Sequence, residues 1–390
     1  MSVGHPEVIV IGAGSVGVPT AWALASAGVR TLVLDAGASA GQGANKAAIG
    51  GVRATHADPA KIRVGGESLR VFATWQETHG DDIEWLTGGY AFVAYREREE
   101  ATFRRLLDVQ HAHGLDIAWL AADEMLARVP DLARTSPEGD ALRGGTFSPG
   151  DGHCSTLLAS HAMVVAAQRA GAEFRFGERV TEVAVAHGRV RGVRTDRGSY
   201  AAPVVVNAAG GAATAVAALA GDALDVRPDL HEAAISEPVA PFLTPLVVDV
   251  RPGPGSANVY FYQSRTGQLV FCLTPDPPIW GDDLRETSAF LPQVAKRLVA
   301  LMPRLRHLRV RRTWRGVYPM TPDGSPLVGW SEGVDGLLHA AGMCGQGFML
   351  GPGVGSLVAR MVRRETTAED DDTLRAWSPR RAFVGQEALR

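Results

Sequence analysis

Cysteine is scarce. The 390 residues hold three, Cys154, Cys272 and Cys344, far apart and in no metal-ligand spacing. An odd, scattered set excludes a disulfide framework and a clustered metal site, and a reducing cytosol is its simplest setting. Charge of one sign is lacking too. The net charge is −3 and charged residues make up 21% of the chain, so neither nucleic acid nor an anionic membrane surface is an expected partner. No apolar run approaches the ~20 residues that span a bilayer. No basic segment with a cleavage site precedes the first strand, so no secretory signal is expected. There is no internal repeat. What is present is ordinary for a globular protein: 46% hydrophobic residues in a chain long enough for two domains and a large core.

The organising stretch is residues 8–35, VIVIGAGSVGVPTAWALASAGVRTLVLD. Val8 to Ile11 is an unbroken apolar run, as suits a strand buried on both faces. Gly12, Gly14 and Gly17 follow in G-x-G-x-x-G spacing, with Ser15 and Val16 between them. Ala21, Leu24 and Ala25 recur at helical spacing, Gly28 ends that helix, and Thr31 to Asp35 reads as a second strand. In such a β-α-β unit Gly12 permits the tight turn, Gly14 lets a pyrophosphate approach the backbone, and Gly17 brings the helix close to the sheet. The helix N-terminus offers free N–H groups and partial positive charge. Asp35, eighteen residues beyond Gly17, can accept hydrogen bonds from a ribose diol. Pro19 falls near the first helical turn, where a missing N–H is tolerated.

A loop of small residues follows, 36–61, whose polar members are Asn45, Lys46, Arg53 and His56. Its Gly and Ala content lets the backbone approach a cofactor closely, and Arg53, flanked by glycines and Ala54, is a candidate site residue. Helices are expected over 58–79, Glu97–His113, 123–128 and Ser155–Ala170, with a strand at Tyr90–Tyr95 and a turn-rich crossover at Phe147–His153. Residues 172–208 alternate with a two-residue period around a His187-Gly188 turn and end in VVVNAAG, a second place where backbone can face a cofactor. From Asp229 to Pro319, strand-like runs (His231–Ser236, Asn258–Tyr262, Leu269–Leu273, Leu308–Arg315) and a helix (Glu286–Leu301) point to an antiparallel sheet domain, a common floor for a small-molecule site. Leu337–Ala341 is a buried strand. Gly342–Gly351, GMCGQGFMLG, opens a helix to about Arg364, and the tail reads as a surface strap.

The first motif alone does not separate NAD from FAD. Two features favour FAD: no second G-x-G-x-x-G is present, and a glycine-rich segment opens another helix at Gly345–Gly347. A helix N-terminus aimed at the flavin's pyrimidine edge would stabilise its reduced, anionic form.

VIVIGAGSVG at the start, DGH at 151–153, VVVNAAGG at 204–211, WRGVYPMTPDGSPLVG at 314–329 and HAAGMCGQGFMLGPGVGSLVA at 339–359 stand in a specific order. With them the chain resembles the D-amino-acid oxidase superfamily of FAD-dependent oxidoreductases. The branch is that of glycine oxidase and sarcosine oxidase-like enzymes, with a texture similar to the flavin subunits of heterotetrameric sarcosine oxidases and proline dehydrogenases. The resemblance implies an α/β fold. Residues 1–85, 147–225 and 320–390 would form a discontinuous FAD-binding Rossmann-like domain of the glutathione-reductase type. Residues 86–146 and 226–319 would form an α+β substrate domain on a mixed or antiparallel sheet.

It also implies site residues. FAD, held non-covalently, would contact Gly12, Gly14, Ser15, Val16, Gly17, Asp35 and Ala36, where the family more often has glutamate at the Asp35 position. Further contacts would come from Asn45, Lys46, Gly51, the Val180 backbone, Ala209 and Gly210. Gly342, Met343, Gly345, Gly347, Phe348 and Met349 would close over the ring. Relatives place an arginine where this chain has Tyr318, so a glycine-type carboxylate clamp is not expected there, and Arg53 could substitute. Tyr260 matches a substrate-contacting tyrosine, Tyr262 shares its face, and His56 and His231 could orient substrate or take a proton. His153 falls where some relatives tether a second flavin, and Cys344 would lie beside the flavin. Leu269 is matched to the lysine with which monomeric sarcosine oxidases activate oxygen, which implies a quinone, a partner protein or a second flavin as acceptor beside O2. The implied reaction is dehydrogenation of the Cα–N bond of a small amino or imino acid, by a cytoplasmic enzyme that is a homo- or hetero-oligomer. The alternatives are a 2-hydroxy-acid dehydrogenase on the same scaffold, an FAD-carrying subunit inactive alone, and, more distantly, an NAD-dependent enzyme.

Overall fold

The computed structural model describes residues 5–385 and 387–389. Val8–Ile11, Gly17–Ser26 and Thr31–Asp35 form the β-α-β unit at the centre of a six-stranded sheet. Val8–Ile11 pairs in parallel with Thr31–Asp35 on one side and Val204–Asn207 on the other. Glu173–Phe176 and Leu337–Ala341 extend the sheet in parallel, and Leu327–Trp330 closes one edge antiparallel. The inner strands are buried on both faces, which is why they read as continuous apolar runs.

Glycines bring the helices together. A Cβ on Gly17 would lie 1.8 Å from the Gly12 carbonyl oxygen. In the helix Gly347–Arg363, a Cβ on Gly351 would lie 1.9 Å from Ser15 O and one on Gly355 2.7 Å from Pro19. These two glycines, one turn apart, face the Gly17–Ser26 helix. Gly353 faces the helix Pro59–His79, where its Cβ would meet Val64 O at 2.2 Å. Pro19 is the third residue of its helix and buried, so its missing N–H is one that has no partner in an intact helix.

The second sheet has eight strands. Their order is Val310–Met320, Arg227–Pro238, Gln268–Pro275, Ser256–Gln263, Leu246–Asp249, Tyr90–Ala94, Gly144–Ser148 and Ala118–Ala121. All pairs are antiparallel except Leu246–Asp249 with Tyr90–Ala94. One face, with Phe261, Leu269, Phe271 and Leu273, packs with Phe290, Val294 and Leu298 of the helix Phe290–Leu301. The other face carries Tyr90, Phe92, Val248, Tyr260, Tyr262 and Trp314.

Four expectations need correction. The segment 147–153 is not only a crossover: Phe147 and Ser148 end a paired strand, and Gly152–His153 pairs with Gly51–Val52. The helix expected from Glu286 starts at Phe290, where its buried face begins. The strand expected to end near Arg315 runs to Met320, because Arg227–Pro238 pairs with it as far as Met320. The tail is not a surface strap. It forms the helix Ala368–Ala376, buries Trp377 completely, and returns inward to bury Glu387 and Leu389.

Candidate functional site

A long cleft of about 1350 Å³, open mouth included, runs from the first glycine turn to the second sheet. At one end it is walled by Gly12, Gly14, Ser15, Val16 and Asp35, then by Ala208–Gly211 and by Gly342, Met343, Gly345, Gly347, Phe348 and Met349. A Cβ on Gly14 would meet nothing within 4 Å, whereas one on Gly12 would strike Ala208 O at 2.6 Å. Gly12 is therefore required by the protein's own turn (φ +106°), and Gly14 leaves space for something the protein does not supply. Asp35 accepts from Ala13 N and Gly37 N, each at 2.6 Å. A carboxylate has about four lone-pair sites, so acceptor capacity is left over.

The loop 43–51 forms the cleft's next wall. Trp314 Nε1 donates to Ala47 O at 2.8 Å, the Tyr262 hydroxyl donates to Ile49 O, and the space beside Gly51 is filled by the Tyr90 hydroxyl. Asn45 Nδ2 donates to Ser160 Oγ at 2.7 Å, while its buried Oδ1 has no partner among the described residues. An open space at Gly14, an orphaned acceptor at Asn45 and a helix N-terminus at Gly347 together fit an extended dinucleotide.

At the far end the floor is the second sheet. The register sets Tyr260 and Ala233 on either side of Cys272, His231 opposite Gly316, and Asp229 opposite Tyr318. Gly316 has no side chain, which lets Ala47 pack against it: a Cβ there would lie 2.5 Å from Ala47 Cβ. The Tyr260 and Tyr318 hydroxyls lie 2.8 Å apart. The Tyr318 ring stacks on His231 at 3.7 Å and 15°, and a Cβ on Gly345 would lie 2.2 Å from its Cε2. His231 Nε2 is 3.0 Å from Asp229 Oδ2. Burial, then the Cys272 thiol, holds the Tyr260 phenol well above its ordinary range, and burial does the same to Tyr318. Both keep their protons. One hydroxyl donates to the other; the second O–H has the Cys272 thiol, which hydrogen-bonds with Tyr260, or a bound acceptor as its partner. Burial lowers the His231 pKa against the pull of Asp229, so the imidazole is neutral.

Of the residues singled out from sequence, Gly12, Gly14, Ser15, Val16, Asp35, Asn45, Gly51, Ala209 and Gly210 line this cleft, as do Gly342, Met343, Gly345, Gly347, Phe348 and Met349. His231, Tyr260 and Tyr318 line its far end. Gly17 lies behind the turn. Ala36 and Lys46 are exposed and off the lining, and Val180 begins the strand Val180–Ala186 without reaching it. Arg53 and His56 are buried outside the cleft. Tyr262 is taken up by Ile49 and by the His153 ring, 4.1 Å away. The Cys344 thiol turns to Gly342 O and Thr321. Leu269 is buried on the opposite face from Tyr260, away from the cleft, so it carries no inference about the acceptor. Cys272, Tyr90 and loop residues 47–50 were not singled out. Pairing Asn258–Tyr262 with Leu269–Leu273 as a hairpin would have placed Cys272 beside Tyr260.

A family model described as FAD dependent oxidoreductase (DAO) matches residues 7–361. The chain is 28% identical over 372 residues to a glycine oxidase of Geobacillus kaustophilus, covering 93% of this chain and 94% of that one. It is 27% identical to the sarcosine oxidase subunit beta of Rhizobium meliloti, covering 92% and 85%. Among solved structures, the L-proline dehydrogenase from P. horikoshii superposes with a TM-score of 0.88 at 28% identity, covering 96% of this chain and 97% of that one.

Proposed function

The chain belongs to the DAO family of FAD-dependent oxidoreductases, and on that premise we propose that it oxidises the Cα–N bond of a small amino or imino acid at the Tyr260–Tyr318 end of the cleft. FAD, bound along the glycine turns, supplies the two-electron acceptor. The first turn (Gly12, Gly14, Ser15, Val16) takes its pyrophosphate, Asp35 its ribose, and Asn45, Gly51, Ala209 and Gly210 its middle. The Gly342–Met349 segment would hold the ring, and the Gly347 helix N-terminus would favour negative charge on it.

The protein's own contribution is placement and dryness. The second O–H of the tyrosine pair holds a substrate carboxylate or carbonyl oxygen. His231, anchored by Asp229, stacks on the Tyr318 ring, and Gly345 leaves room for that ring where a Cβ would strike it. Ile49, Tyr90, Ala233 and Met343 exclude water around the reacting carbon. The single observation that carries this reading is the hydroxyl pair at 2.8 Å at the end of a dinucleotide-shaped cleft.

The test is anaerobic addition of glycine, sarcosine, proline and D-alanine, beside the matching 2-hydroxy acids, to the purified flavoprotein. Bleaching by one amine class supports the reading; bleaching by hydroxy acids alone overturns it. A partner-dependent form is favoured by one further feature. Ile279, Trp280 and Leu284 are 42, 46 and 47% exposed on a loop whose Ile279 N–H is held by Asp229 at 2.7 Å. There, flavin reduction would appear only after a partner subunit is added.

A further inference from the structure

The chain-wide charge of −3 conceals a basic corner. No acid occurs between Glu286 and Asp323, and five arginines fall within residues 304–312. Arg304, Arg306, Arg309, Arg311 and Arg312 are all exposed. Arg304 is taken up by Asp131 and by the Phe242 ring, 4.1 Å away. The guanidiniums of Arg306, Arg309 and Arg311 have no partner among the described residues, and Arg312 only flanks the Trp314 ring at 6.0 Å. On the paired strand Arg227–Pro238, Glu237 is exposed, and its N–H donates to Arg309 O at 2.8 Å. Four guanidiniums thus stand against one free carboxylate.

These residues share one end of the eight-stranded sheet. Val310–Met320 is its edge strand, and Ser236 is in register with Val310. The 3-10 turn Pro303–His307 leads into that strand, and the exposed segment 237–241 runs out beside it. Val239 is 39% and Val310 40% exposed. The corner is stiff. The buried Gln263 side chain donates to Val239 O and Ala240 O, each at 3.2 Å, and accepts from Phe242 N at 2.8 Å. Val239 N donates to Gly267 O at 3.0 Å. None of the five arginines lines the cleft. Charge on an edge strand deters pairing with another chain. That accounts for Arg311 and Arg312, but not for Arg304 and Arg306 on the preceding turn, nor for the exposed valines beside them.

We propose that this corner is a reversible docking surface for an anionic lipid bilayer. Charge complementarity supplies the attraction: each arginine near an anionic membrane surface strengthens binding about fivefold. Val239 and Val310 add apolar area at the same face, the second signal that peripheral attachment needs. Because Gln263 already fixes the corner, little order has to be gained on docking. A protein partner is less well matched. A protein interface depletes charge at its core and draws its energy from buried anchors, whereas here four free guanidiniums accompany two isolated valines. The surface stands whether or not the amine reading holds.

The experiment sediments the intact flavoprotein with vesicles of phosphatidylcholine alone and of phosphatidylcholine mixed with phosphatidylglycerol. Binding to the mixed vesicles, lost in raised salt and absent from phosphatidylcholine, is the expected result. Arg306→Gln, Arg309→Gln and Arg311→Gln together are expected to weaken it roughly a hundredfold. Arg70→Gln, Arg105→Gln and Arg191→Gln, three exposed arginines outside the corner, change the net charge equally and are expected to leave most of it. Val239→Ser with Val310→Ser is expected to weaken vesicle binding about fivefold or more and to leave the weak binding of soluble polyglutamate unchanged. No binding to the mixed vesicles overturns the proposal, as does an equal loss in the two triple variants. Polyglutamate bound as tightly as the vesicles, with no effect of the valine changes, overturns it in favour of an acidic protein. Should a variant fail to fold, the wild-type comparison of the two vesicles and polyglutamate decides alone.

Discussion

A methyl group added at Gly14 separates the cofactor cradle from the fold that carries it. The ideal Cβ at this position meets no atom within 4 Å, and the residue is not among the glycines with positive φ. Gly14→Ala therefore creates no clash in the protein, and lower backbone freedom in the unfolded chain adds about 0.4–1 kcal/mol of stability. The same methyl group projects into the cleft where the pyrophosphate is proposed to lie. Losing one or two charge-assisted contacts of about 1.5–3 kcal/mol each weakens FAD binding by roughly tenfold to ten-thousandfold. The control is Gly17→Ala, whose Cβ would lie 1.8 Å from Gly12 O and must cost about 1–3 kcal/mol or more in stability by overpacking. Urea unfolding of the flavin-free proteins and FAD titration of each give both quantities. The reasoning is refuted if Gly14→Ala binds FAD as the wild type does, or if its flavin-free form loses as much stability as Gly17→Ala.

Tyr318→Phe removes one member of the hydroxyl pair and leaves Tyr260 with its own proton. It should lower kcat/KM for the amine by about tenfold or more while flavin content is kept, and equal kinetics would exclude the pair from substrate binding. Gly345→Ala places a Cβ 2.2 Å from the Tyr318 ring at φ +80° and should destabilise the protein by about 2 kcal/mol, read as a lower urea midpoint. Burial holds His153 down to about 4 from 6.5. The unfolded chain therefore takes up this proton first as pH falls. The stabilisation is fully present above about pH 6.5 and is lost between there and about pH 4, to a total of about 3 kcal/mol. His153→Asn should lose about 2.5 kcal/mol less stability than wild type between about pH 7.5 and pH 4.5 by urea unfolding, and parallel losses would contradict it.

The β-α-β unit was legible because each of its signals is local: an apolar run, glycines at fixed offsets and an acid at the end of the second strand. The final glycine segment was legible for the same reason. The floor of the cleft was only partly so. Tyr260, Tyr318 and His231 were marked singly, but what joins them is pairing across 58 and 87 residues, set by strand register that a one-residue slip would reverse. Leu269, matched by sequence to an oxygen-activating lysine, belongs to the face opposite Tyr260 for the same reason. Arg53 and His56 are polar members of a small-residue loop and read as site candidates, but they are buried outside the cleft, and part of their surroundings comes from Glu387 and Leu389, more than 300 residues away. The tail itself has too few apolar residues to declare its burial; polar contacts (Glu387 with Lys61 and Ala57 N, Leu389 O with Arg53, Arg381 with Asp323) and two apolar anchors, Trp377 and Leu389, draw it inward.

The central claim is that the cleft carries FAD and that a small amine reduces it at the tyrosine pair. The most direct measurement is the visible spectrum of the reconstituted protein under anaerobic titration with sarcosine, glycine, proline and D-alanine, run in parallel on Tyr260→Phe. Bleaching of the oxidised flavin by one of these amines, slowed in the variant, is the expected result. A protein that takes up no FAD, or a flavin that an amine bleaches at the same rate in both proteins, would contradict it.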